Sequence, residues 1–240
     1  MAGHYKNQVV MITGAGGNLG RAVCQYFADE GAKLVMVDGR MENLQAAAEA
    51  LGLPKTRYML LTADLGKPKE TDGVVKKAER KFKQIEVLVH TVGGFATGQP
   101  VHAGDLAVYE KMMYLNAQVT YVTLGRVAAH MVEKGTAGRM VAVLARSGLK
   151  GAKNMAAYTA SKAAAERIVQ SMAEELKDHN IRVNGVMPST IDTPLNRKDM
   201  PNADFSKWVT PQQIAQVIGF LCSDAASAIT GDSIAVYNKA

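Results

Sequence analysis

Residues 8–23 read QVVMITGAGGNLGRAV: an apolar β-branched run, four glycines within seven positions, then a helix-forming stretch. Glycine lets backbone approach a pyrophosphate closely, and a helix start offers unpaired N–H groups and the positive end of its dipole. Such a turn alone is a weak signal. The next apolar run, KLVMV (33–37), strengthens it by ending at Asp38, 18 residues after Gly20. A carboxylate at that distance can accept both hydroxyls of an adenosine ribose. It would also repel a 2′-phosphate, and no basic residue occupies 15–19 to attract one. With Arg40 as a countervailing charge, the pattern favours NAD over NADP. It places Gly14, Gly16, Gly17, Asn18, Leu19, Gly20 and Asp38 at a dinucleotide.

Outward from this turn, short β-branched runs alternate with helical patterns. Candidate strands are 8–12, 33–37, 57–61, 86–90, 139–144, 181–187 and 233–237. Helix-like stretches lie near 19–30, 41–51, 67–83, 105–133, 155–178 and 211–222. The alternation predicts an α/β fold, a seven-stranded parallel sheet with helices on both faces and ligands beyond the strands' carboxyl ends. One segment breaks it, PSTIDTPLNRKDMPNADFSKWVTP (188–211). Its prolines, its polar residues and the only tryptophan make it a poor helix, and a long loop after a strand reads as a substrate lid.

The chain has 240 residues, 48% apolar and 21% charged, with no linker-like stretch, so one domain over 1–240 is expected. The apolar run 9–12 is too short for a signal-peptide core and no run reaches eighteen residues, which predicts a cytoplasmic protein without membrane spans. Cys24 and Cys222 read as buried thiols rather than a disulfide. The five histidines form no cluster, so no metal site is expected. Net charge is +6, much of it in KPKETDGVVKKAERKFK (67–83). Without interleaved aromatics this reads as a solvated helix face, not a nucleic-acid surface, and it would help to draw in an anionic cofactor.

Tyr158 and Lys162, in YTASK (158–162), stand one helical turn apart. Together with TGAGGNLG (13–20), Asp64-Leu65, Asn116 in YLNAQ (114–118) and IRVNGVMPSTIDT (181–193), they resemble the short-chain dehydrogenase/reductase family across essentially the whole chain. The resemblance implies a single doubly wound Rossmann-type domain, sheet order 3-2-1-4-5-6-7, and hydride transfer between a nicotinamide and a carbonyl, alcohol or imine. It implies Tyr158 as general acid, Lys162 on the nicotinamide ribose, and Asn116 holding a proton-relay water with Lys162. A free tyrosine titrates near ~10, and a close cation lowers that by roughly 1–3. Asp64 and Leu65 would face the adenine and Ile191 and Thr193 the carboxamide, with Val92, Gly93 and Pro188 completing the cofactor site.

Three positions depart from the family pattern. HTVG (90–93) stands for NNAG, Pro188-Ser189 for PG, and Ala145 for the serine thirteen residues before Tyr158. That serine donates to the oxygen on which charge develops, and losing such a donor typically costs about 10²–10³ in rate. Ser147 could replace it if the strand stays extended, the chain could be a silent NAD-binding protein, or the substrate could be electrophilic enough to need only Tyr158. The third option agrees with TIDTPLNRKDMPNADFSKW, which resembles the loop of the dihydropteridine reductase subgroup, where alanine followed by a basic residue (here Arg146) is also found. Quinonoid dihydropteridine is then the expected substrate, with a carbonyl or 3-oxoacyl substrate as the alternative. Asn116 is not expected in that subgroup. Ala145, Arg146, Phe95, Met155, Arg197, Phe205 and Trp208 are the substrate-side candidates. The apolar excess of 105–133 and 155–178 predicts a homodimer or homotetramer built on those helices.

Overall fold

A computed structural model describes residues 3–239. Its centre is a sheet of seven parallel strands: β1 Val9–Thr13, β2 Lys33–Asp38, β3 Tyr58–Thr62, β4 Val87–His90, β5 Arg139–Val143, β6 Arg182–Pro188 and β7 Ser233–Val236. They lie in the order β3-β2-β1-β4-β5-β6-β7. Parallel strands covered on both faces need apolar residues at nearly every position, which is why these segments read as continuous rather than alternating runs. Met11, Val35, Leu88 and Met140 face one core with Val74, Val75, Leu124 and Val169 from helices α3 (Pro68–Phe82), α5 (Val119–Lys134) and α6 (Ala156–Leu176). Val10, Leu34, Val89 and Val141 face the other with Phe27, Leu44, Ile214 and Ile218 from α1 (Asn18–Asp29), α2 (Met41–Leu51) and α8 (Pro211–Cys222). Chain direction across the sheet reverses between β1 and β4, which opens a crevice at their carboxyl ends.

Two expectations change. The single helix expected over 105–133 is α4 (Leu106–Met112) joined to α5 by a π-helical segment, Met113–Gln118. Such widened turns concentrate at functional sites, and this one carries Asn116. The 188–211 segment is not without regular structure either. It holds α7 (Pro194–Asp199), a 3₁₀ turn (Phe205–Lys207) and a parallel bridge between Ile191 and Val209. Its prolines are helix starters: Pro194 and Pro211 each follow a threonine cap, a position where the missing N–H costs nothing. Both cysteines are buried and free. Among the described residues, no helix is long and apolar enough to cross a membrane.

Candidate active site

The glycine-rich turn is shaped by its own backbone. Gly14 has φ +70, and a Cβ there would fall 2.6 Å from Thr91 Oγ1, which donates to the Thr13 carbonyl at 2.7 Å. A Cβ on Gly20 would run into the Gly14 carbonyl, so only glycine lets α1 pack on the turn. Gly17 precedes the helix with no side-chain cap, leaving first-turn N–H groups open to an anion. Asp38 is already tied to the loop: Oδ2 accepts from the Gly16 N–H at 3.1 Å and Oδ1 from the Arg40 N–H at 3.2 Å.

Gly14 and Gly17, Asp38, Asp64 and Leu65 after β3, and Val92 with Gly93 after β4 line one cleft of about 580 Å³. Tyr114 lines it too and was not singled out from sequence. Its phenol donates to Asp64 Oδ1 at 2.5 Å, and its ring fills the space that a Cβ on Gly66 would need. The Tyr114 bond, with the Gly66 N–H and Lys67, holds the Asp64 carboxyl below the usual range, while burial and that carboxylate push Tyr114 up to about 12. Asn18, Leu19 and Gly20 form the first turn of α1 behind the loop. Pro188 ends β6 opposite Val236, Ile191 pairs with Val209, and Thr193 caps α7 by accepting from the Asn196 N–H at 3.2 Å. These three therefore have structural work and do not line the 580 Å³ cleft.

Tyr158 and Lys162 share a face of α6. Lys162 is 7% exposed, and its Nζ donates to the Val143 carbonyl at 3.0 Å. Burial lowers its pKa to about 8. Tyr158 departs from expectation: burial raises its pKa above 10, and Lys162 does not offset that, its ammonium being held at the end of β5. Phe95 stands edge-on to the Tyr158 ring, centroids 4.9 Å apart.

Asn116 is buried, and its amide is committed to the loop after β4. Oδ1 accepts from the Gly94 N–H at 2.9 Å, and Nδ2 donates to the Gly94 carbonyl and to Ser161 Oγ, each at 3.0 Å. A Cβ on Gly93 would sit 2.8 Å from Asn116 Oδ1 and 3.1 Å from Lys162 Nζ. Gly93 thus lets Asn116 and Lys162 converge, and the Asn116 side chain fixes the loop at Gly94. Beneath them, His90 binds Thr13 Oγ1 through Nδ1 at 2.8 Å. Burial and the Lys162 charge lower His90 to about 3, so it adds no charge under the site.

Ala145 is extended, and the chain then turns at once into a 3₁₀ helix, Arg146–Gly148. Ser147 is therefore off the extended strand that would have aligned it with position 145, and no hydrogen bond joins it to Tyr158. Arg146 stacks over the Tyr237 ring at 4.8 Å. Within the 188–211 segment, Arg197 makes a two-point ion pair with Asp192 (2.6 and 2.8 Å) and lies over Phe205. Trp208 is 7% exposed and packs on Phe205, centroids 4.8 Å apart. Arg197, Phe205 and Trp208 brace this segment instead of offering an exposed aromatic face to a ligand. Met155, just before α6, borders a second cavity.

The family model described as short chain dehydrogenase matches residues 8–204. The chain belongs to this family. Short-chain dehydrogenase relatives include L-rhamnose 1-dehydrogenase (NAD(P)(+)) of Sphingomonas sp., 30% identical over 96% of this chain and 95% of that one. The 3-oxoacyl-(acyl-carrier-protein) reductase FabG of Thermotoga maritima is 31% identical over 96% of each chain. Among solved structures, levodione reductase superposes with TM-score 0.90 at 26% identity, covering 98% of this chain and 97% of its own. The superposition on levodione reductase spans nearly the whole of both chains and shows a shared fold.

Proposed function

We propose that this short-chain dehydrogenase is an NAD(H)-preferring reductase of activated carbonyl or imine substrates, with Tyr158 as its acid. The observation that carries this reading is Ala145, which offers no hydroxyl where Tyr158 and Lys162 both stand on α6; the turn at Arg146–Gly148, which takes Ser147 off the strand, supports it. The glycine cradle, the uncapped start of α1 and the Asp38 carboxylate fit a dinucleotide, and Asp38 supports NAD over NADP. A bound nicotinamide supplies the hydride that adds to the substrate carbon. Tyr158 gives its phenolic proton to the carbonyl oxygen or imine nitrogen, and Lys162, charged at neutral pH, would hold the nicotinamide ribose. Asn116 keeps the 93–94 loop in place beside Lys162, and Phe95 screens one side of the phenol from water. Without a donor at 145, charge on the substrate oxygen must be carried by the substrate's own conjugation.

Quinonoid dihydropteridine meets that requirement, and the resemblance of the 188–211 loop to that of the dihydropteridine reductase subgroup supports it. A carbonyl or 3-oxoacyl substrate is the second reading, favoured by similarity to the 3-oxoacyl-(acyl-carrier-protein) reductase and to levodione reductase. A silent NAD-binding role is disfavoured, since a buried lysine is costly unless used. Exposed Tyr121 and Val132 on α5 support a homo-oligomer. The test is NADH oxidation with quinonoid dihydropteridine, a 1,2-diketone, a plain ketone and an acetoacetyl thioester. Activated substrates should lead by at least about tenfold, and Tyr158→Phe should cost about 10²–10⁴ on each. Turnover confined to the plain ketone or thioester, or an unaffected Tyr158→Phe enzyme, would overturn the reading.

A further inference from the structure

A cavity of about 740 Å³ lies between the loop after β4 and the start of α6. Its walls include Val101, Leu106, Val108, Tyr109 and Met155, and among the residues lining it there is no lysine or arginine. Asp105 is the one carboxylate, and its Oδ1 is occupied in capping α4, accepting from the Ala107 N–H at 2.9 Å. The cavity is held open by named bonds: the Gly98 N–H and Thr97 Oγ1 both donate to the Asn154 carbonyl at 3.1 Å, and Asn154 has φ +61. Two of its walls adjoin Tyr158 and Phe95 along the chain, although neither residue lines it. Ala156 and Ala157 in its wall precede Tyr158 directly, and Ala96 follows Phe95, whose edge meets the Tyr158 ring.

We infer that this cavity takes an uncharged apolar arm of the substrate reduced at Tyr158, and so selects aryl- or alkyl-substituted electrophiles over oxo acids and polyols. The inference rests on the proposed reaction and adds the substrate class. Volume and lining suit an aryl or short alkyl group, since ligand sites of about 300–1,000 Å³ with mainly apolar walls are typical. The sole carboxylate repels anionic arms, and no cation attracts them. Leu106 is 65% exposed in the free chain, and a seated arm would cover it.

The test compares 2,3-butanedione, 1-phenyl-1,2-propanedione and its 4-carboxyphenyl analogue with saturating NADH. Each buried methylene is worth about fourfold in affinity, so the phenyl arm should raise kcat/KM at least about tenfold, mostly through KM, and the carboxylate should abolish the gain. Leu106→Glu should bring the phenyl-to-methyl ratio close to one. Equal efficiency for the two neutral diketones, or a Leu106→Glu enzyme with its ratio intact, would overturn the inference. The same holds if Leu106→Glu instead splits an oligomer in sedimentation velocity with the ratio unchanged, which would assign the cavity to a second copy. Should Leu106→Glu misfold, Leu106→Ala must lower the ratio in its place. Binding of uncharged N-phenyl-1-naphthylamine, displaced by 1-phenyl-1,2-propanedione, must be seen even if no diketone is reduced. That outcome would sink the reaction and leave the cavity; absence of probe binding would sink the cavity alone.

Discussion

Replacing Lys162 with methionine should make the cofactor-free protein more stable while removing its activity. The lysine is buried, and its pKa falls from 10.5 to about 8. At about 1.4 kcal/mol per pH unit, holding the charge at pH 7 costs about 3 kcal/mol. Methionine fills a similar volume without that cost but forfeits the 3.0 Å bond to the Val143 carbonyl, about 1 kcal/mol. The net gain is about 2 kcal/mol, or roughly 4–8 °C in Tm for a chain of this size. The pH dependence has a definite sign. Below about 8 both folded and unfolded lysine are charged and the cost is complete. As pH rises from about 8 to 10.5 the folded state sheds its proton first, the unfolded chain holds more protons, and the wild type gains stability relative to the variant. Calorimetry at pH 7 and pH 10 should show a variant advantage that shrinks with pH. A variant melting at or below the wild type at pH 7 would refute the account of Lys162 as a residue kept at the expense of stability.

Three further outcomes follow from the same site. Tyr114→Phe removes the donor to Asp64, so KM for NADH should rise severalfold with kcat little changed in steady-state assays. Asp38 should give NADH at least about a tenfold lead over NADPH in kcat/KM, and Asp38→Ser should narrow it, because its carboxylate faces the place a 2′-phosphate would occupy. With Lys162 titrating at about 8, kcat/KM for NADH should fall above that pH, as the ammonium that would hold the nicotinamide ribose is lost.

Much of this was legible in sequence because the decisive residues are local. The β1–α1 glycines, the end of β2 at Asp38 and the i, i+4 pairing of Tyr158 with Lys162 each depend on short spacings, so pattern and structure agree. What escaped depends on contacts distant along the chain. Tyr114 meets Asp64 across 50 positions, and only the π-helical turn at Met113–Gln118 directs Asn116 to Gly94. Arg197 and Trp208 looked available because polar and aromatic residues in a proline-rich loop suggest a lid. The loop instead consumes them, Arg197 on Asp192 and Trp208 on Phe205. Whether Ser147 stays aligned with position 145 depends on where the strand ends, and it ends earlier, at Val143. The raised Tyr158 pKa follows from burial that spacing cannot show.

The central claim is that hydride transfer at Tyr158 proceeds without a hydroxyl at position 145. It is tested most directly by kcat/KM on a 1,2-diketone and a plain ketone, measured side by side for the wild type and Ala145→Ser. The account predicts that serine raises the plain ketone at least about tenfold and the diketone far less, closing the gap between them. An Ala145→Ser enzyme that folds and binds NADH but leaves both values unchanged would contradict it.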